Sequence, residues 1–304
     1  MICTGLVLCV ISALQGGDPA QSPAPAARPA LLSRVAVIGA SASAGFKLKV
    51  NLADAFEAQI AIEHTTPVSF ADERLFLEPV ALGEEQISRA AALDPTLVIG
   101  ADFLFWFGYG ELGGDEQRLE QMELGLELLE ALKCPLIVSR LPDMSPAVGK
   151  MLMPTQMPSK AALVMLNARI DLWAAKRRNV VFVPMPEYLD SLRAGEALTL
   201  GGVEFKAPAS RRRLMQSDEL HPTPEGLGTL ARLCVDAALG AQIGAVPEAF
   251  KLDLAPALES LRKLDESRRT ILRLPPPKPT DSPSPPPKPV GGGHMLRHAI
   301  VGAR

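Results

Sequence analysis

The sequence predicts an α/β protein, a three-layer α/β/α sandwich around a central parallel sheet. Three observations lead there. Short, wholly apolar runs recur along the chain, as strands covered on both faces require. Amphipathic helical patterns separate those runs, which favours parallel crossovers over hairpins. The chain has 304 residues, 47% of them hydrophobic, enough for one large buried core.

In chain order, RVAVIG (34–39) reads as the opening strand, and a loop of small residues leads to a helical stretch over 49–63. The pattern EEQISRAAAL (84–93) predicts a helix before the strand PTLVIG (95–100). A long helix with periodic leucine follows over 115–132, then a strand PLIVSR (135–140), a helix over 159–177 and a strand VVFVP (180–184). ALTLGGVEFKA (197–207) predicts a hairpin turning at Gly201-Gly202, and TPEGLGTLARLCVDAAL (223–239) a further helix. Over 254–272, Leu254, Leu258, Leu261 and Leu264 form one stripe among charges, so this helix is expected to pack on the outside of the core.

The two ends differ from this pattern. Residues 1–17 begin with an apolar, uncharged run that has the character of a secretory signal, and 18–32 are a Pro/Ala-rich linker, leaving 33–272 as the folded domain. The apolar run is too short to span a bilayer, so cleavage without a stable membrane span is expected, and with it a secreted or periplasmic location. An uncleaved anchor is the alternative. Residues 273–304 are rich in proline and glycine and are expected to be a disordered tail or linker, with His294 and His298 carrying no chemistry.

The formal charge of −3 lacks the basic excess of a nucleic-acid-binding protein, so no nucleic-acid partner is expected. Cys3, Cys9, Cys134 and Cys234 have no metal or redox spacing, and no metal or other cofactor is expected; Cys134 and Cys234 read as buried small side chains.

In an open parallel sheet, ligands bind in the crevice at the carboxyl ends of the strands. The loop Gly39-Ala40-Ser41-Ala42-Ser43-Ala44-Gly45 leaves the first strand there and places a serine where a helix begins. The segment Ser217-Asp218-Glu219-Leu220-His221-Pro222 precedes the helix near 223. An aspartate three residues before a histidine in a turn can hold one ring nitrogen and leave the other free to take a proton. A serine hydroxyl needs such an oriented base at neutral pH. Ser41 and Ser43 could instead be turn residues and His221 a helix cap, but the two segments together favour chemistry.

These two segments resemble the blocks of the GDSL/SGNH hydrolase family. Gly39, Ser41, Ser43 and Gly45 fall in register with GDSxTxG, and Asp218, His221 and Pro222 with DxxHP. The resemblance implies a flavodoxin-like sandwich that hydrolyses carboxylic esters, including acylated sugars and lipids. It makes Ser41 the nucleophile, His221 the general base and then acid, and Asp218 the residue that orients the imidazole. Two positions depart from the pattern. Ala40 replaces the aspartate before the nucleophile, and the asparagine that would donate to an oxyanion aligns with Asp102. A carboxylate only accepts, so Asp102 must be protonated, turned away or serving something else. Gly83, just before the predicted helix at 84, is the candidate for the family's glycine N–H donor.

Trp106, Phe107 and Tyr109 leave a central strand at the crevice end and either line a substrate pocket or fill the core. Arg211-Arg212-Arg213 reads as a solvated face, and His64 as a surface loop residue. The function expected is ester hydrolysis of a small-molecule, glycan or lipid ester through an acyl-enzyme. The alternative is an impaired hydrolase-like module that binds a glycan or peptide in the same cleft; a proline-rich scaffold is a third possibility.

Overall fold

A computed structural model describes residues 31–206, 209–241 and 243–273. The expected signal segment, all but two residues of the expected linker and all but one of the expected tail lie outside the described residues. Leu31 and Leu32, assigned to the linker by composition, instead form a turn with Leu32 buried in the core.

The elements in order are β1 (Val35–Val37), α1 (Ser41–Ala44), α2 (Leu52–Glu57), β2 (Val68–Ser69), α3 (Pro79–Ala92) and β3 (Leu97–Gly100). Then come α4 (Phe105–Gly108), α5 (Asp115–Leu129), β4 (Leu136–Ser139), α6 (Lys160–Ala174), β5 (Val180–Val183) and α7 (Met185–Ala194). The hairpin β6 (Leu198–Leu200) and β7 (Val203–Phe205), α8 (Ala209–Leu214), α9 (Pro224–Gly240) and α10 (Ala255–Arg273) follow among the described residues.

Strands β1 to β5 pair in parallel in the order β2-β1-β3-β4-β5. Every residue of β1, β3 and β4 is buried, which explains their unbroken apolar sequence. At the β5 edge, buried Val181 and Val183 alternate with half-buried Val180 and Phe182, and the Arg140 guanidinium lies over the Phe182 ring. Helices α3, α4, α5 and α6 pack together as one layer, and α2 and α9 with α10 outside them as the other. Helix α9 is buried from Gly226 to Val235, as a helix between the sheet and an outer helix must be. Leu254, Leu258 and Leu261 are buried and Leu264 is half-buried against the core, so α10 uses the stripe read from the sequence.

Strand β2 and helix α7 have no counterpart in the sequence-based reading. β2 is a two-residue edge strand, too short to leave a periodic signal. The chain runs from β1 out to β2 and returns across β1 to β3, so the sheet order reverses between β1 and β3. The crevice of a doubly wound sheet opens at that point. The loops that follow β1 and β3 begin at Ile38 and Ala101.

Candidate active site

The loop after β1 is fixed before it reaches the serine. Gln86 of α3 pairs with both backbone groups of Gly39, accepting from its N–H at 2.7 Å and donating to its carbonyl at 3.0 Å. Gly39 has φ +147°, and a Cβ there would lie 2.2 Å from Asp102 Oδ1, so both conformation and space demand glycine. Helix α1 is a single turn starting at Ser41 and ending at Gly45 in the left-handed region, φ +80°.

Asp102, from the loop after β3, holds this turn. Its Oδ1 accepts from the Ala40 N–H (3.1 Å) and the Ser43 hydroxyl (2.5 Å). Its Oδ2 accepts from the N–H groups of Ala42 (2.9 Å) and Ser43 (3.1 Å). The carboxyl thus satisfies amides that the start of a helix leaves without partners. Burial raises its pKa above the ordinary carboxylate value, against the lowering effect of these four donors. Asp102 therefore takes the third of the roles open to it: it borders the cavity beside Ser41, and its oxygens are committed to the Ser41 loop rather than to an oxyanion.

The second segment folds on itself. Asp218 Oδ1 accepts from the N–H groups of Leu220 (3.1 Å) and His221 (3.0 Å), while Oδ2 lies 3.0 Å from His221 Nδ1. Glu219 between them adopts φ +61°, an uncommon conformation for a residue other than glycine. It is held by Arg211 at 2.8 Å and Lys150 at 3.3 Å. Thus Arg211 braces the loop, and Arg213 pairs with Glu225 at the start of α9. The Gln216 N–H donates to the His221 carbonyl (2.8 Å), and its side-chain amide donates to the carbonyls of Pro222 and Phe46, both at 2.9 Å. The last bond joins the histidine loop to the serine loop.

His221 Nε2 lies 2.9 Å from Ser41 Oγ, completing a continuous line from Asp218 through the imidazole to the hydroxyl. Phe46 stacks on the His221 ring at 4.1 Å between centroids. His221 is 1% exposed, and this burial holds its pKa below the ordinary 6.5 even though Asp218 pulls the other way. For Asp218, burial raises the pKa, but the His221 N–H and ring and the Leu220 N–H outweigh it and the net shift is downward. The pair at neutral pH is a carboxylate beside a neutral imidazole. Among the described residues no acceptor reaches the Ser41 N–H, so it is available beside the hydroxyl.

Ser41 stands between two cavities. One is a slot of about 60 Å³ bounded by Ala42, Asp102, Phe105, Ser139, Leu141 and Leu189 among others. The other is a cleft of about 350 Å³ bounded by His221, Phe46, Arg74, Phe76, Leu77 and Trp106 among others. Trp106 is thus on the cleft wall. Phe107 and Tyr109 are fully buried instead, with the Tyr109 hydroxyl donating to the Pro142 carbonyl at 2.5 Å, so the aromatic segment is divided between site and core.

Gly83 does not have the position expected of an oxyanion donor. It lies inside α3, beyond the first four residues whose N–H groups a helix leaves free, and it is buried. A Cβ there would come 3.0 Å from Leu128 and 3.1 Å from Phe107, so its smallness serves helix packing. Gln86, Phe46 and Gln216 contribute to the site without a local sequence signal. Among the described residues no three His, Cys, Asp or Glu side chains gather to hold a metal. Cys134 and Cys234 are unpaired, and burial raises both thiols, Cys134 to about 11. No described helix is long and apolar enough to cross a membrane.

No protein-family profile and no curated protein matches the chain. Three solved structures illustrate its likenesses. A lipase/acylhydrolase from Enterococcus faecalis is 14% identical over 68% of this chain and 96% of its own, with a TM-score of 0.44. TesA is 17% identical over 69% of this chain and 99% of its own, with a TM-score of 0.40. A lipase from a goat rumen metagenome is 11% identical over 70% and 98%, with a TM-score of 0.40.

Proposed function

We propose that this protein is a serine hydrolase of the GDSL/SGNH type that cleaves carboxylic esters. The observation that carries this reading is the unbroken line Asp218–His221–Ser41, with heavy-atom separations of 3.0 and 2.9 Å. Ser41 Oγ attacks the ester carbonyl carbon as its proton passes to His221 Nε2. Asp218 fixes the tautomer and steadies the imidazolium that forms. The tetrahedral oxyanion meets the Ser41 N–H. On its collapse the bond to the alcohol oxygen breaks, the Nε2 proton goes to that oxygen, and the acyl group remains on Ser41. A water, deprotonated by the same nitrogen, then releases the acid and restores the hydroxyl.

The side-chain donor supplied by an asparagine is missing at position 102, and the loss of one such donor costs about 10²–10³ in rate. That observation favours, as a second reading, a binding module with little turnover. A fluorophosphonate separates the two. Wild-type protein is expected to be labelled covalently, Ser41→Ala not at all. The labelling rate should fall on acidification with a midpoint below 6.5, because the base acts only when neutral and its pKa is depressed. Folded wild-type protein that takes no label at pH 8 would establish the binding module instead.

A further inference from the structure

The two cavities at Ser41 differ in size, lining and access to the histidine, and together they define an ester class. Resting on the hydrolase reading, we infer that the slot takes the acyl group and the cleft the alcohol, so that the preferred substrate joins a short acyl chain to a bulky apolar alcohol.

The sides are distinguished by proton transfer. The leaving oxygen must receive the proton held on His221 Nε2, so the alcohol departs on the imidazole side. His221 lines the cleft and is absent from the slot. Ser41 and Leu220 are shared by both, so the ester bond lies across the serine with Leu220 as the partition. The carbonyl carbon then sits at Oγ with its chain in the slot.

The slot sets the chain length. At about 60 Å³ against about 350 Å³ for the cleft, the slot is the side that suits a short acyl chain. Its lining includes the buried side chains of Leu141, Met144, Met185 and Leu189, which favour alkyl over polar acyl groups.

The cleft sets the alcohol. It is several times larger, and its rim exposes Phe76 (47%), Leu77 (63%) and Met151 (38%). Two of its polar side chains are already engaged: the Arg74 guanidinium binds both carboxylate oxygens of Asp72, and Gln156 Oε1 accepts from the Met153 N–H. An aryl or alkyl alcohol would cover the exposed apolar rim.

The test is a series of 1-naphthyl esters from acetate to decanoate, with ethyl butanoate as the small-alcohol comparison, on fluorophosphonate-titrated enzyme. Wild type is expected to lose at least tenfold in kcat/KM between hexanoate and decanoate. Leu189→Ala should reduce that loss below threefold, and Leu189→Phe should move it to between acetate and butanoate, so that one variant still informs if the other folds poorly. Phe76→Ser with Leu77→Ser, at exposed positions, should lower the preference for naphthyl over ethyl butanoate at least fivefold and leave the chain-length profile unchanged. The assignment is overturned if titratable wild type prefers decanoate, or if Leu189 changes alter alcohol preference and rim changes alter chain length. Protein that neither titrates nor turns over any ester overturns the hydrolase reading, and the assignment with it.

Discussion

The loop carrying Ser41 is held from beneath by buried partners, whereas the loop carrying Asp218 and His221 is held by its own turn and by charges at its rim. Beneath the first, one carboxyl accepts from three backbone amides and a hydroxyl, and one glutamine clasps Gly39. Around the second, Asp218 binds groups two and three residues ahead, and Arg211 and Lys150 reach Glu219 from outside. Position in the fold explains the contrast. The serine loop leaves the centre of the sheet, where water cannot reach its amides and any acceptor must come from another buried loop. The histidine loop follows the surface helix α8, and the partly solvated Arg211 and Lys150 supply part of its support. Restraint is therefore concentrated in two buried side chains, Asp102 above all, on one side and spread over several contacts on the other.

Removing Asp102 tests the concentrated side and should have the largest effect. Asp102→Ala leaves four donors without their acceptor, and the expected loss of stability is about 3–5 kcal/mol by urea denaturation, with fluorophosphonate labelling slowed more than 10²-fold. Asp102→Asn preserves shape but must set an amide N–H₂ against donors whichever way it turns, because both oxygens are in use; about 1–3 kcal/mol is expected. A stable, fully reactive Asp102→Asn protein would show that the fourfold clasp is dispensable and would remove the contrast between the loops.

The same contrast explains what the sequence disclosed. The Asp218–His221 turn was legible because its bonds span two or three residues, so spacing alone implied it. Asp102 was not, since its partners are about 60 residues away and a carboxylate near a helix start has no local signature. Its chemistry limited the options, but only the fold selected among them. Gly83 was misjudged for a related reason: a glycine before acidic residues resembles a loop, while its actual cause is the approach of Leu128 and Phe107 from elsewhere in the chain. In Trp106, Phe107 and Tyr109, a one-turn helix sends the first to the cleft and the others to the core, a division that depends on rotation rather than composition. The central strands read clearly because burial on both faces left them uniformly apolar. By contrast, Met185, Tyr188, Leu189 and Leu192 of α7 do follow helical spacing, and Pro186 in its first turn is compatible with a helix, so that element was readable and missed.

Between the extremes stands Gln216, whose side-chain amide donates to both loops. Gln216→Leu removes the donors to Phe46 and Pro222 while retaining bulk, so about 1–2 kcal/mol of positioning is at stake. This should appear as a roughly tenfold fall in kcat with little change in KM. The pH midpoint set by His221 should move as Phe46 loosens from the ring it covers, whereas a merely structural role would lower stability and leave that midpoint in place.

The smallest effect is expected where restraint is shared. Arg211→Ala removes one of two cations on Glu219 and leaves Lys150 at 3.3 Å. Both the arginine and the glutamate are partly solvated, with side chains 35% and 20% exposed, so the pair should contribute no more than about 1 kcal/mol. In a domain of this size that is a fall of at most about 2–4 °C in Tm, with kcat within about twofold of wild type. The turn survives because Asp218 still receives the Leu220 and His221 amides, and these, rather than the outer ions, set the angle of the imidazole. A tenfold loss of kcat in Arg211→Ala would mean that the φ +61° conformation of Glu219 depends on that guanidinium, and that the histidine loop is as concentrated in its restraint as the serine loop.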